Sequence, residues 1–471
     1  MKNFPLMRLQ TRAQFLAFCA AALLAGCGGG GGGSTPTATS QTSPTPTQTD
    51  DAQPRSDVPL SYPRELPHDN RRSFTAWEIQ QHAKLAQNFL ESPEFKNSWH
   101  LEHINAHKAY ARGATGRGEI VGVIDYSLHL ESHVLDGGSK VVAAFPLTTH
   151  GTKDPRFLTQ RFDTHGTQVA SVAVGARGNS IPEDARNTYK DHYQVQGVAY
   201  DAKLAFADAS YGGVTESNAK LFNDHGAAIV NLSFGVGGSI DDYSEKEIRE
   251  KWGHLAPLLA QAGTNDADKT IFVWAAGNRN DGSSVGADVG VGVYFPELRG
   301  HVLAVTGVAK SGRHIYQKCG RAKAFCLAAP ADDILTGSMR VKDPRKAKQV
   351  KRKGFNARFT SEQVESSVDE FGGTSAAAPI VSGALALMRQ FFSEDDKDGN
   401  RTYQLGNTEL VARLLATANN RGIYSDSDKY GHGLLDLDAA TTPYGMLLTS
   451  LQSDPNAQPF DASAFSLSGN A

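Results

Sequence analysis

Three short stretches hold side chains that together could break an acyl bond. Val123-Ile124-Asp125 ends an apolar run on a carboxylate, and Asp163-Thr164-His165-Gly166-Thr167 presents an imidazole before the helix-compatible stretch Gln168–Gly175. Gly372-Gly373-Thr374-Ser375-Ala376-Ala377-Ala378-Pro379 presents a hydroxyl where a helix through Arg389 would begin. A serine hydroxyl attacks a carbonyl only when a base removes its proton, and a carboxylate beside that base fixes its tautomer. Glycines before Ser375 let a substrate backbone approach, and a helix starting there aims N–H groups at developing negative charge. Each stretch alone has a plainer reading: a strand-ending turn for the Asp, an N-cap for the Gly-Thr-Ser. Their order, Asp then His then Ser, matches one of the three chain orders in which this chemistry recurs.

The elements that must position these residues are legible as alternating strands and helices. Glu119–Ile124 is a continuous apolar run of strand length ending at Asp125, and similar runs are Lys140–Phe145, Lys203–Ala207, Ala228–Leu232, Thr270–Ala275 and His301–Val305. Short runs apolar on both faces suit a parallel sheet buried under helices. Helical patterns at Thr215–Asp224 and Asp242–Ala262 fall between them. The expected fold is therefore α/β, a doubly wound, mainly parallel twisted sheet with helices on both faces. Chemistry in such sheets sits beyond the carboxyl ends of the strands, where Asp125 and Asn278 fall.

At 471 residues, with 40% hydrophobic and 21% charged residues and a formal charge of −3, the composition is that of a globular protein. No whole-protein field argues for nucleic acid as a partner. Residues 1–26 carry Lys2, Arg8 and Arg12 before an apolar run from Ala13 to Ala25, the build of an export signal. Residues 27–68 begin as a Gly- and Ser/Thr/Pro-rich tether. Residues 69–445 hold the folded domain, and 446–471 form a polar tail. Phe74–Leu90 reads as a helical lead-in packing on the domain through Trp77, Ile79, Leu85 and Leu90. Cys319 and Cys326 are the two cysteines of the body, and in an exported protein such a pair is expected to form a disulfide. A metal site with His314 as third ligand is the alternative, but no second Cys or His pair at ligand spacing accompanies it.

Taken together these motifs resemble the subtilisin-like (subtilase) serine peptidases over about Asn105 to Ala440. Further matching stretches are Gln196–Leu204, Val230-Asn231-Leu232-Ser233-Phe234-Gly235, Ala275-Ala276-Gly277-Asn278 and the closing Gly431-His432-Gly433-Leu434-Leu435-Asp436. The resemblance implies a serine endopeptidase with Ser375 as nucleophile, His165 as base, Asp125 as its orienting carboxylate and Asn278 as oxyanion donor. It also implies that an extended peptide adds to edge strands, with Ser233, Phe234 and Gly235 on one side and Gly212 and Gly213 on the other. Trp99–Gly118 and the cysteine pair are most similar to passenger domains of autotransporter subtilases. Leu24-Ala25-Gly26-Cys27 resembles a lipoprotein signal, which implies lipidation of Cys27 and an outer-membrane address. Ser450–Ala471 lacks alternating strands, so no autotransporter barrel is expected in this chain, and export by another route is.

Departures from the family pattern are few. Tyr126-Ser127 follows Asp125 where Ser/Thr-Gly is usual, and Gln168 is likewise unusual at its place. Trp274 reads as core. Arg340–Lys353 is strongly basic and reads as a solvated surface hairpin. Glu394–Asn400 has the acidic spacing of a calcium loop, but Leu405 stands where the bidentate Glu would close it, so a solvated turn between two helices is expected. No cofactor is expected, calcium being the one alternative, and the protein is expected to act as a monomer on proteins or peptides. A catalytically silent binding or adhesive lipoprotein is the competing reading, and it leaves four intact chemical residues without a purpose.

Overall fold

The computed structural model describes residues 74–145, 163–178, 194–209, 214, 222–235, 237–261, 269–298, 300–312, 316–343, 345–348, 363–395 and 401–442. Cys27, the tether, Gly212, Gly213, His314 and the Thr215–Asp224 helix up to 221 lie outside them, as does the polar tail.

Seven strands form one parallel sheet: β1 Ile120–Asp125, β2 Val141–Phe145, β3 Lys203–Asp208, β4 Ile229–Leu232, β5 Ile271–Ala275, β6 Val302–Val308 and β7 Cys326–Pro330. Their order is β2-β3-β1-β4-β5-β6-β7. Residues of β4, β5 and β6 are buried on both faces, which is why they read as unbroken apolar runs rather than alternating ones. β7 was not among the expected strands, because Cys-Leu-Ala-Ala-Pro is short and carries little β-branched signal. From β1 the chain turns to one side through β2 and β3, then crosses to β4 and continues the other way. The crevice therefore opens at the carboxyl ends of β1 and β4, the strands that lead into Asp125 and Ser233.

Two helices cross beneath this crevice. The principal helices are α1 Ala76–Leu90, α2 His165–Val174, α3 Glu245–Trp252, α4 Leu255–Gln261, α5 Thr374–Phe391 and α6 Asn407–Ala416. α2 and α5 are buried along nearly their whole length and pack on each other and on the sheet. The single helix expected over Asp242–Ala262 is two. Ser244 and Glu247 form a capping box that starts α3, and Gly253 ends it by donating to the Arg249 carbonyl.

The face of the lead-in helix differs from expectation. Trp77 is 67% and Leu85 45% exposed, while Ala86 is buried and Phe89 packs near Phe95 and Tyr110. Arg177 sits over the Phe89 ring at 4.4 Å, covering it from the domain side.

β8 Ile334–Val341 and β9 Val364–Phe371 pair antiparallel from Ile334↔Phe371 to Val341↔Val364, with Arg340 on β8 paired with Glu365 at 2.6 Å; of the rest of the basic stretch, 345–348 are helical and 349–353 lie outside the described residues. The acidic stretch after α5 is not a bare turn between helices. Its described ends form a small hairpin, β10 Ser393–Asp395 with β11 Arg401–Tyr403. Arg401 holds Asp395 at 2.8 Å, and both Arg401 and Arg389 reach the buried Glu119 at the start of β1. Glu394 accepts from Gln404, so the two described acidic side chains are engaged by protein donors.

Several histidines are folded in neutral. His100 and His129 are buried and His133 half-buried, both ring nitrogens of His100 and His133 and Nδ1 of His129 have no hydrogen-bond partner among the described residues, and burial lowers the three pKa values to about 3, 4 and 4. The unfolded chain binds protons at these sites that the folded chain refuses, so their contribution is present above about pH 6.5 and lost as pH falls. Each should erode stability by about 1.4 kcal/mol per pH unit between its unfolded and folded pKa. Thermal melts from pH 7 to pH 4 should show this as a steep fall that His133→Leu makes shallower; an unchanged slope would refute the assignment.

Candidate active site

β1 delivers Asp125 fully buried at its carboxyl end. Its Oδ1 lies 2.7 Å from His165 Nδ1 and also accepts from the Tyr126 N–H at 2.6 Å. The His165 ring keeps 29% of its side chain exposed, so one edge faces the crevice while the other meets Asp125. Burial alone would lower the pKa of His165. The charge and hydrogen bond of Asp125, together with the charge of Asp163, outweigh it and leave the pKa raised above the ordinary 6.5.

Local sequence explains how His165 is held. Asp163 Oδ1 accepts from the His165 N–H at 3.0 Å, serving the first turn of α2. Gly166 must be glycine, since a Cβ there would stand 2.5 Å from the Tyr126 carbonyl that its own N–H meets at 2.9 Å. Ser127 takes φ 54, the left-handed conformation that explains why glycine is usual at that place. The unusual Gln168 is a tie. Its Nε2 lies 3.3 Å from Thr336 Oγ1 and 3.3 Å from the Glu370 carbonyl, fastening α2 to the β8–β9 hairpin. Phe371, at the end of that hairpin, stands edge-on to the His165 ring at 5.2 Å. No signal in the sequence singled out Phe371, because its partner is 206 positions away in the chain and only the hairpin brings them together.

Ser375 occupies the first turn of α5. Gly373 takes φ 82, turning the chain sharply into the helix, and its Cβ would crowd Asn278 at 3.0 Å. Pro379 lies inside the helix rather than in its first turn, which removes the N–H that would meet the Ser375 carbonyl. Ser233 Oγ supplies that bond at 3.0 Å, and Asn231 Nδ2 holds Ser233 Oγ at 2.8 Å. Asn231 Oδ1 in turn accepts from Ser382 on α5 at 3.0 Å, so a buried polar chain joins β4 to α5. The Ser375 hydroxyl donates to the Ser233 carbonyl at 3.1 Å in this resting arrangement.

Asn278 lies just past β5. Its Oδ1 accepts from the Thr374 N–H at 2.8 Å and Thr374 Oγ1 at 3.0 Å, which assigns the amide orientation and leaves Nδ2 with no acceptor among the described residues. The Ser375 N–H, in the first turn of α5, has no acceptor among the described residues either. Among the described residues, two unspent donors thus lie at Ser375 itself and on the residue that holds the neighbouring Thr374. Ser233, Phe234 and Gly235 run out from β4 into the crevice, and the buried Trp274 donates its indole N–H to the Phe234 carbonyl at 2.7 Å. Cys319 and Cys326 are joined by a disulfide, as expected.

Asp125, His165 and Ser375 are thus carried at the carboxyl ends of the strands of a parallel α/β sheet and on the two helices packed against it. The chain belongs to the subtilase family (Peptidase_S8), whose model matches residues 116–433. It is 25% identical over 403 residues to an extracellular serine protease of Serratia marcescens, covering 76% of this chain and 35% of that protein. An extracellular basic protease of Dichelobacter nodosus is 25% identical over 397 residues, covering 74% of this chain and 55% of that protein. The chain thus spans about a third to a half of the length of these relatives. Among solved structures, MycP3 protease from the type VII (ESX-3) secretion system superposes with a TM-score of 0.46 at 21% identity, covering 74% of this chain and 88% of that one.

Proposed function

We propose that this protein is a serine endopeptidase that hydrolyses peptide bonds through an acyl-enzyme on Ser375. The observation that carries the reading is the 2.7 Å contact between buried Asp125 and His165, with Ser375 and two unspent N–H donors on the adjoining helix and loop. His165 takes the hydroxyl proton as Ser375 attacks the carbonyl and returns it to the leaving amine. Asp125 holds Nδ1 protonated, so Nε2 is the basic nitrogen, and stabilises the imidazolium. The oxyanion rests between the Ser375 N–H and Asn278 Nδ2. A peptide substrate lies extended beside Ser233, Phe234 and Gly235, with Gly212 and Gly213 on the opposite side, as β-augmentation requires. No cofactor takes part in these steps.

A fluorophosphonate probe tests the activated serine directly. Wild-type protein should label at neutral pH and Ser375→Ala should not. Absence of labelling in both, with folding verified by circular dichroism, removes the enzyme reading in favour of a silent binding protein.

The same proposal places the enzyme outside the cytoplasm on a lipid anchor at Cys27, with residues 28–68 as its tether. Two or more acyl chains on one residue give lasting membrane attachment where a single chain gives only marginal binding. Radiolabelled palmitate should enter the wild-type protein during expression in a Gram-negative host and not Cys27→Ala. Equal incorporation by both would refute the anchor.

A further inference from the structure

Gln317 is buried, 3% exposed, on the segment between β6 and the disulfide, and its carboxamide is fully engaged with a single loop. Its Oε1 accepts from the Arg279 N–H at 2.9 Å, at the residue directly after Asn278. Its Nε2 lies 3.2 Å from the Ser283 carbonyl, 2.9 Å from Ser283 Oγ and 2.5 Å from the Ser284 carbonyl, at the far end of the same loop. One side chain therefore closes the turn 278–284 like a clip. The neighbouring Tyr316 carbonyl accepts from the Asn280 N–H at 2.9 Å, so both backbone N–H groups following Asn278 are spent on this segment.

The clip is itself anchored. Thr306 Oγ1 of β6 donates to the Gln317 carbonyl, and the Cys319 N–H meets the Lys429 carbonyl at 3.1 Å. Cys319 is bonded to Cys326 at the start of β7. Gly277, which precedes Asn278, takes φ 118, and a Cβ there would stand 3.2 Å from Gln317 Oε1. The backbone on both sides of Asn278 is thus shaped against this one carboxamide.

We propose that Gln317 is a positioning residue for the oxyanion donor Asn278, acting by clipping the 278–284 loop so that Nδ2 stays aimed at the site of charge development. The inference rests on the reading of Asn278 given above. A buried, fully hydrogen-bonded amide holds its partners far more tightly than a solvated one. Small displacements of a preorganised donor are costly, since a misplacement near 1 Å is worth about 10²-fold in rate.

Gln317→Met keeps length and burial but removes every hydrogen bond of the clip. With a peptide substrate, kcat should fall about tenfold or more while KM stays within about twofold, as expected when an interaction formed only in the transition state is lost. Asn278→Ala should by itself lower kcat about 10²–10³-fold, a scale known from subtilisin, a member of the same family. In that background, Gln317→Met should change kcat less than about twofold, because its effect passes through the missing amide. Gln317→Glu keeps the acceptor for Arg279 but turns a second acceptor oxygen on the Ser283 and Ser284 carbonyls, so it should also lower kcat about tenfold or more, and it carries the test if the Met variant does not fold. A lowered melting temperature with unchanged kcat in the folded variants, or equal losses with and without Asn278, would overturn the clip's role. Unchanged kcat in Asn278→Ala would instead remove the underlying oxyanion reading.

Discussion

His165→Ala is expected to lower kcat by about 10⁶-fold, the scale seen when the same base is removed from subtilisin, a relative of this chain. The reason lies in how little the serine can do alone. Ser375 spends its hydroxyl on the Ser233 carbonyl at 3.1 Å, a neutral acceptor too weakly basic to take its proton, and His165 is the base proposed for that step. The loss should not add to that of the nucleophile. Ser375→Ala combined with His165→Ala should be about as slow as either alone, because both residues act in one step. A double variant slower than the singles by the product of their losses would show that they act independently. The residual rate should still exceed that of water, since the Asn278 amide and the Ser375 N–H remain in place.

Asp125→Asn should cost about 10⁴-fold in kcat while leaving the fold nearly unchanged in shape. An amide at this buried position can present its N–H₂ to Nδ1, which selects the tautomer that leaves Nε2 protonated and useless as a base. The pH profile adds a second reading of the same change. Neutral imidazole is the active form, and the raised pKa of His165 places the acid limb of kcat/KM above pH 6.5. Asp125 is the leading cause that raises it, against burial, which lowers it. Removing the carboxylate leaves burial to dominate, so the residual activity should persist to lower pH than in the wild type. A limb that stays in place would mean that Asp125 does not govern His165.

The residue types and their order in the chain were sufficient to point to the family whose model the chain matches. Asp125, His165 and Ser375 stand within short motifs because each needs a specific local backbone: a strand end, a helix start behind Gly166, and a glycine-led turn at Gly373. Such backbone requirements are written in adjacent residues, and so are the buried parallel strands, whose two-sided burial demands unbroken apolar runs. Helix limits were less legible. The break between α3 and α4 at Gly253 and the exposed Trp77 both depend on what packs against them, and neighbours distant in the chain leave no periodic trace.

Only tertiary structure could reveal what supports the three motifs. Phe371 reaches His165 because a hairpin folds back along α2, and Gln168, marked by the sequence only as unusual, proves to tie the two together. Ser233 serves the carbonyl that Pro379 leaves unmet, a relation between residues 146 positions apart that no local rule connects. Gln317 meets the loop of Asn278 across 38 positions through a side chain that reads as ordinary in its own segment. The physical division is between covalent geometry and hydrogen-bond closure. The sequence by itself determined which groups could react and which local turns could present them. The tertiary structure decided which buried polar atoms meet, because satisfying each of them depends on surfaces that exist only after the sheet and helices have assembled.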